Sequence, residues 1–239
     1  VVNPSADLDY NTHYTLYVDA GFFVDAAGNA SEALHNTSPN AYSFTTDVYG
    51  RVFDGYIAYM DVFIDLDGDL EWDEGELITV TGADGSYSFS EAAPAGSMIV
   101  ALGNENTIDI STGASVDMLV APSEMRYISP LSSAYAYAET DEERASFLNA
   151  LGLTTLDFDP IAVIEAGGDT SSAAYTAAAT MVVSGAALLS LTVDAASLVS
   201  GITGVDTITA TRSIFSTLVK QDQTTLTDIL TGEGDSDGD

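Results

Sequence analysis

Apolar and polar residues alternate along the first half of the chain with the two-residue period of β-strands. Residues 14–18 and 41–46 are rich in strand-forming side chains, and the turn-forming cluster of residues 25–29 lies between them. Later runs of this kind predict strands over residues 52–59, 61–64, 77–81, 86–89, 97–102 and 115–120. The later group is enough for an antiparallel sandwich of about seven short strands.

From residue 129 onward the apolar residues recur with the period of α-helices. The predicted helices cover residues 130–138, 140–152, a short segment from 159, 171–193, 208–220 and a last segment from 222. Thr140 followed by Glu143 matches a capping box, Gly152 is a helix-ending glycine, and Asp159-Pro160 begins a helix. A bundle of about five helices is therefore expected after the strands.

The segment 171–193 has no charged residue and is long enough to span a bilayer. It consists mostly of Ala, Ser and Thr, with Gly185 inside it, and no basic residue follows directly. We therefore expect a buried, close-packed helix and no membrane span.

Between two predicted strands, the stretch Asp65-Leu66-Asp67-Gly68-Asp69-Leu70-Glu71-Trp72-Asp73-Glu74-Gly75-Glu76 is strongly acidic. Counted from Asp65, carboxylates stand at positions 1, 3, 5, 9 and 12, which is the spacing of a calcium-binding loop. The glycine usual at position 6 is replaced by Leu70, and Gly68 stands at position 4. The predicted Ca²⁺ ligand set is Asp65, Asp67, Asp69, Glu71, Asp73 and Glu76. The alternative is a solvated acidic hairpin. For Trp72 the two options are stacking on a sugar ring and packing on the neighbouring sheet, and packing is the favoured interpretation.

The chain carries 37 acidic residues against five basic ones, and its formal net charge is −32. Such a surface repels the phosphates of nucleic acid and of anionic membranes. It suits a cation-rich medium that screens self-repulsion, and no cysteine is available for disulfides. These features predict an extracellular protein that relies on Ca²⁺ rather than on disulfides.

The first segment carries residues that resemble bacterial Ig-like domains of S-layer and other cell-surface proteins. The resemblance rests on residues 14–16, 19–21, 25–29 and 42–46. It covers only about the last half of such a domain, so the first strands of the Ig-like fold are missing. Half a sandwich exposes apolar faces and unpaired strand edges.

Three explanations for this shortage remain open. The segment is cut from a longer chain, it packs on the next module as an extension, or a neighbouring copy supplies the missing strand. In the third case, residues 1–10 (VVNPSADLDY) are the expected donor strand, because a free terminus reaches a neighbour without moving a loop. Such a contact is heterologous, so successive copies build a filament. In this case the chain resembles a protomer of a donor-strand-assembled fibril or pilus-like filament.

Residues 54–57, 62–69, 73–76 and 84–87 resemble modules of large bacterial adhesins with a prealbumin-like or SdrD-type β-sandwich. In those modules a similar acidic loop holds calcium within the sheet framework. Together with the helices predicted from the apolar periodicity, the two resemblances lead us to expect an α+β, multidomain chain. Its expected parts are an incomplete Ig-like β segment (1–47), a Ca-binding β-sandwich (48–122), a helical bundle (123–231) and an acidic tail (232–239).

No catalytic residue is predicted. The only histidines, His13 and His35, both lie in the incomplete β segment without a nucleophile motif nearby. Asn29 and Asn36 match the acceptor pattern for N-linked glycans, so glycosylation is an open possibility. Asp235, Asp237 and Asp239 in the tail have ligand-like spacing, but a flexible acidic end is the favoured interpretation.

The leading prediction is a non-enzymatic structural subunit of an extracellular bacterial filament at the cell surface. Copies are joined by β-strand complementation and stiffened by Ca²⁺. The alternative is a Ca²⁺-dependent spacer or ligand-binding module of a large adhesin. A fragment of a secreted hydrolase is a third class, which would need a catalytic domain in flanking sequence.

Overall fold

The computed structural model describes residues 13–33, 42–45, 48–203, 214, 215 and 217. Eleven strands lie within these residues. They are β1 (His13–Leu16), β2 (Tyr42–Thr45), β3 (Val48–Val52), β4 (Ile57–Ala58), β5 (Asp61–Asp65), β6 (Ile78–Val80), β7 (Ser86–Phe89), β8 (Met98–Leu102), β9 (Ile108–Asp109), β10 (Met118–Pro122) and β11 (Tyr127–Ile128). Four helices follow, α1 (Pro130–Ala136), α2 (Asp141–Leu151), α3 (Pro160–Glu165) and α4 (Ala173–Thr203). Strands followed by helices confirm the predicted α+β class.

The chain divides into two compact units. The first comprises Val1–Val48 and Phe89–Ala93, and the second comprises Tyr49–Ser88 and Pro94–Asp239. The finer division into four segments that the sequence suggests remains a prediction.

In the first unit, β1 and β2 pair antiparallel, from His13 opposite Thr45 to Leu16 opposite Tyr42. The predicted turn lies between them, where the Asp25 carboxylate accepts hydrogen bonds from the backbone N–H groups of Ala27 and Asn29. The predicted donor strand of residues 1–10 lies outside the described residues.

The second unit is built on a four-stranded antiparallel sheet in the order β10-β8-β5-β6. Its strand β5 is covered on both faces, because the successive residues Val62, Phe63 and Ile64 are all buried. A three-stranded sheet has the order β11-β3-β7, in which β11 pairs parallel with β3, and β4 pairs with β9. One apolar cluster joins the four-stranded sheet to α1 through Phe63, Leu70, Val100, Met118, Val120 and Ala136.

Each described helix start that the sequence marks is confirmed. The Thr140 side chain caps α2 by accepting the N–H of Glu143, and Gly152 ends this helix in the left-handed conformation with φ 67°. The carboxylate of Glu143, however, accepts the N–H of Glu139 at 2.7 Å instead of the N–H of Thr140. The predicted helices after residue 207, like the tail 232–239, lie outside the described residues except at positions 214, 215 and 217.

Helix α4 is longer than predicted and packs against α1 and α3. Val183 of α4 is 65% exposed, whereas the buried positions of the described part of the helix form one stripe: Ala178, Met181, Ser184, Gly185 and Leu188. The expected burial is therefore correct for one face only. Within the described chain, the segment Ala173–Leu191 is the one helix that could cross a membrane by its length and composition, and 28% of it is buried.

The predicted continuous strand over residues 52–59 is wrong. The chain turns at Asp54-Gly55, and an isolated bridge pairs Phe53 with Tyr56 before β4 begins. Gly55 lies so close to the side chains of Asp109 and Ser111 that a Cβ atom has no room there. A tight turn packed against the 109–111 loop therefore divides the run.

Candidate functional site

The acidic loop connects β5 to β6 and begins at a buried residue. Asp65 closes β5 and is only 1% exposed, although it carries a carboxylate. Buried carboxylates need hydrogen-bond donors or a cation. Two donors come from the loop backbone: Gly68 N donates to Oδ1 at 2.7 Å, and Leu70 N donates to Oδ2 at 3.2 Å.

Glu76, the last residue of the loop, forms a hydrogen bond to the beginning of the loop through its carboxylate. Its Oε1 accepts the N–H of Leu66 at 2.7 Å, and its Oε2 accepts the N–H of Asp73 at 3.1 Å. The indole N–H of Trp72 donates to the carbonyl of Glu76 at 3.2 Å, and the Trp72 side chain is 47% exposed. The indole N–H therefore closes a hydrogen bond within the loop, and packing of Trp72 on the neighbouring sheet remains a prediction.

Leu70 holds the middle of the loop in the core. Its φ is 68°, the left-handed conformation that the glycine at position 6 of such loops usually supplies. Its side chain is 3% exposed and packs in the apolar cluster between the four-stranded sheet and α1. The sequence shows only that Leu70 replaces the usual glycine, whereas the structure shows that Leu70 adopts the same backbone conformation and also packs into the core.

The loop brings five of the six predicted ligands into two overlapping groups. Asp65, Asp67 and Glu76 have carboxylate oxygens within 4.8 Å of one another, and so do Asp67, Asp69 and Asp73. Glu71 belongs to neither group, and its backbone N–H donates to Asp69 Oδ1 at 2.8 Å. Clustered carboxylate oxygens are the ligands that Ca²⁺ prefers, so the donor set fits this ion.

A second pair of carboxylates lies at the turn between β3 and β4. Asp109 is buried, and its side chain accepts hydrogen bonds from Ser111 N, Ser111 Oγ and Thr112 Oγ1 at 2.6–2.8 Å. Asp54 Oδ1 is also buried, and it has no hydrogen-bond partner in the described structure. Burial, followed by the charge of Asp109, raises the pKa of Asp54 to about 6.

The first unit exposes an apolar surface beside its turn. Phe22, Phe23 and Val24 are consecutive and are 69%, 53% and 62% exposed, and Tyr17 is 57% exposed. The rings of Phe22 and Phe23 form an edge-to-face pair with centroids 4.9 Å apart. We call these four residues the apolar surface of the first unit. The run Phe22-Phe23-Val24 next to a turn is the signal by which the sequence alone could reveal it.

The same segment is matched by a family model. Residues 1–46 match the bacterial Ig-like domain, which supports a bacterial Ig-like surface module in this part of the chain. Domains of this family are non-catalytic and typical of bacterial surface proteins, so the match supports an extracellular or cell-surface location. Comparison with curated proteins finds no match, and comparison with solved structures finds none either.

Proposed function

We propose that the protein is a non-catalytic structural subunit of an extracellular bacterial filament. In this proposal, residues 1–10 of one copy add a β-strand to the Ig-like segment of the next copy. The observation that carries the proposal is the apolar surface of the first unit, with Phe22 69% exposed in a chain of net charge −32. Exposed apolar patches of neighbouring residues are typical of protein interaction sites.

Pairing with an added strand fits the described part of the first unit, in which β1 and β2 form a two-stranded antiparallel pair. Main-chain hydrogen bonds to an added strand would supply affinity, and pockets for alternate side chains would supply specificity. Because donor and acceptor are different surfaces, the contact is heterologous and the chain of copies stays open.

Calcium has a structural role in this proposal. Asp65, Asp67 and Glu76 would hold the ion, with Asp69 and Asp73 beside them in the overlapping group. The ion would neutralise repulsion among these carboxylates and stiffen the β5–β6 connection in a chain that has no disulfides.

The alternative function is a Ca²⁺-dependent spacer or ligand-binding module of a large adhesin. The family match covers residues 1–46 only, as expected for one module among several, and this favours the alternative. Under the alternative, the purified chain binds Ca²⁺ but remains monomeric.

Negative-stain electron microscopy of the full chain in Ca²⁺ separates the two functions. The filament proposal predicts fibres from the full chain and none from a variant that lacks residues 1–10. A variant that lacks the acidic residues 232–239 is the matched control and should still form fibres. Monodisperse single particles from the full chain would refute the proposal.

A further inference from the structure

The second unit contains an open cleft of about 610 Å³ that the acidic loop does not share. The volume lies within the roughly 300–1,000 Å³ usual for small-molecule sites. Strands β3, β6, β7 and β11 and the start of α3 all contribute to its lining. Rigid elements therefore define the cleft.

Three tyrosines line this cleft, and one of them, Tyr87, is buried with its hydroxyl donating to the Arg126 carbonyl. Tyr49 is 51% exposed, and Tyr127 is half-buried with the Arg126 guanidinium 5.4 Å from its ring centroid. A tyrosine ring offers a flat apolar face together with a polar edge, and it loses little side-chain entropy when a ligand binds. Rings of this kind suit a ligand that has an apolar face of its own.

A guanidinium and a carboxylate stand together in the cleft. Arg51 Nε lies 3.7 Å from Asp159 Oδ2, and a terminal nitrogen of Arg51 lies 3.1 Å from Asp84 Oδ2. Asp159 is further fixed by Tyr56, whose hydroxyl donates to Oδ2 at 3.1 Å, and by the N–H of Ala162, which donates to Oδ1 at 2.9 Å. The cleft therefore presents preorganised donors and acceptors side by side.

The charges in and around the cleft limit the class of ligand. Arg51 is one of only five basic residues and is already paired with two carboxylates, and the net charge of −32 repels anions. With Arg51 between Asp84 and Asp159, the three charged groups sum to −1, so this place attracts a cation less than the unpaired carboxylates of the acidic loop do. A neutral ligand with neighbouring hydroxyl groups satisfies both conditions, because each hydroxyl donates to a carboxylate and accepts from a guanidinium.

An extended peptide fits the cleft less well. The strand edges at its rim are β6 (Ile78–Val80) and β7 (Ser86–Phe89), which have three and four residues and support few main-chain hydrogen bonds. From the aromatic rings, the fixed Arg51–Asp159 pair and the charge balance, we propose that this cleft binds a neutral saccharide. The proposal is independent of filament assembly.

Saturation-transfer NMR of the full chain tests this with maltose, cellobiose, lactose and N,N′-diacetylchitobiose as probes. Binding of at least one disaccharide is expected, and Tyr49→Ala should weaken it by about tenfold or more. Asp159→Asn should weaken it similarly while it keeps α3 capped, because asparagine is as good an N-cap as aspartate.

Trp72→Ala is the control, since it removes an equally exposed aromatic ring outside the cleft. The affinity of the Trp72→Ala variant for the disaccharide should equal that of the wild type. Three results would overturn the proposal: no binding of any probe, binding that is lost with Trp72 and kept without Tyr49, or Tyr49-dependent binding of a synthetic peptide of residues 1–10 with no binding of the sugars.

Discussion

The backbone N–H of Leu70 donates to the buried carboxylate of Asp65 at 3.2 Å, while the Leu70 side chain packs into the core. One residue thus supports the first carboxylate of the loop with its backbone and fastens the loop with its side chain. The left-handed φ of 68° is what allows both contacts at once. The loop is therefore shaped by the core beneath it as well as by any ion that it binds.

Truncation of Leu70 should destabilise the second unit. Leu70→Ala removes a side chain that is 97% buried, and we expect a loss of about 2–4 kcal/mol in the free energy of unfolding by chemical denaturation. Leu66→Ala is the matched control, because Leu66 lies in the same loop and is 53% exposed. Equal effects of the two substitutions would show that the anchoring of Leu70 does not contribute to stability.

Calcium should raise the melting temperature of the full chain, and chelation should lower it. An ion at about 100 times its dissociation constant adds roughly 2.7 kcal/mol to the stability of the form that binds it. Asp67→Asn should abolish the calcium-dependent shift, because Asp67 belongs to both carboxylate groups.

Glu71→Gln is the control for this measurement and should keep the shift, because Glu71 belongs to neither group. The substitution removes one negative charge from the same loop, so it also reports on general charge effects. A melting curve of the wild type that chelator leaves unchanged would contradict a structural calcium site.

Replacement of Asp54 should stabilise the protein at neutral pH. The pKa of Asp54 is raised from 3.8 to about 6, so the folded state binds the proton more tightly than the unfolded state. Wild-type stability therefore contains a penalty from Asp54 that is absent below pH 3.8 and is complete above pH 6. After allowance for partial exposure of the group, we expect Asp54→Asn to gain about 1–2 kcal/mol at pH 7.5 and nothing near pH 3.5.

Denaturant unfolding of both proteins at the two pH values measures this gain. Asp117→Asn, at an exposed carboxylate, is the control and should change stability little. A gain for Asp54→Asn that is the same at both pH values would show that the ionisation of Asp54 is not its source.

Local signals in the sequence predicted much of the structure. Thr140, Gly152 and Asp159 act within a few residues of themselves, so their capping roles can be predicted without knowledge of the tertiary fold. Strand β11 could not be predicted in this way, because it consists of two residues that pair parallel with β3, 76 positions earlier. The same holds for the turn at Gly55, which depends on packing against Asp109 and Ser111.

The candidate calcium site also combines features that the local sequence predicts with features that depend on tertiary packing. Carboxylate spacing predicts which side chains converge, and five of the six predicted ligands do so. The spacing does not reveal that Glu71 stands apart or that Leu70 replaces glycine at a left-handed position, since both depend on how the loop rests on the core. The cleft that contains Arg51 and Asp159 is assembled from residues over a hundred positions apart, and no motif marks it.

The central claim, that the N-terminal segment of one copy binds the Ig-like segment of another, is tested most directly by cross-linking. The chain has no cysteine, so a single introduced cysteine reports on one position. Val2→Cys protein is mixed with Ala20→Cys protein of a different tagged mass, because Ala20 is exposed beside the apolar surface of the first unit. Val2→Cys mixed with Glu142→Cys, an exposed position on α2, is the control. In the presence of Ca²⁺, we predict a much higher yield of the mixed disulfide between positions 2 and 20 than of the one between positions 2 and 142. Equal yields for the two mixtures would contradict strand complementation.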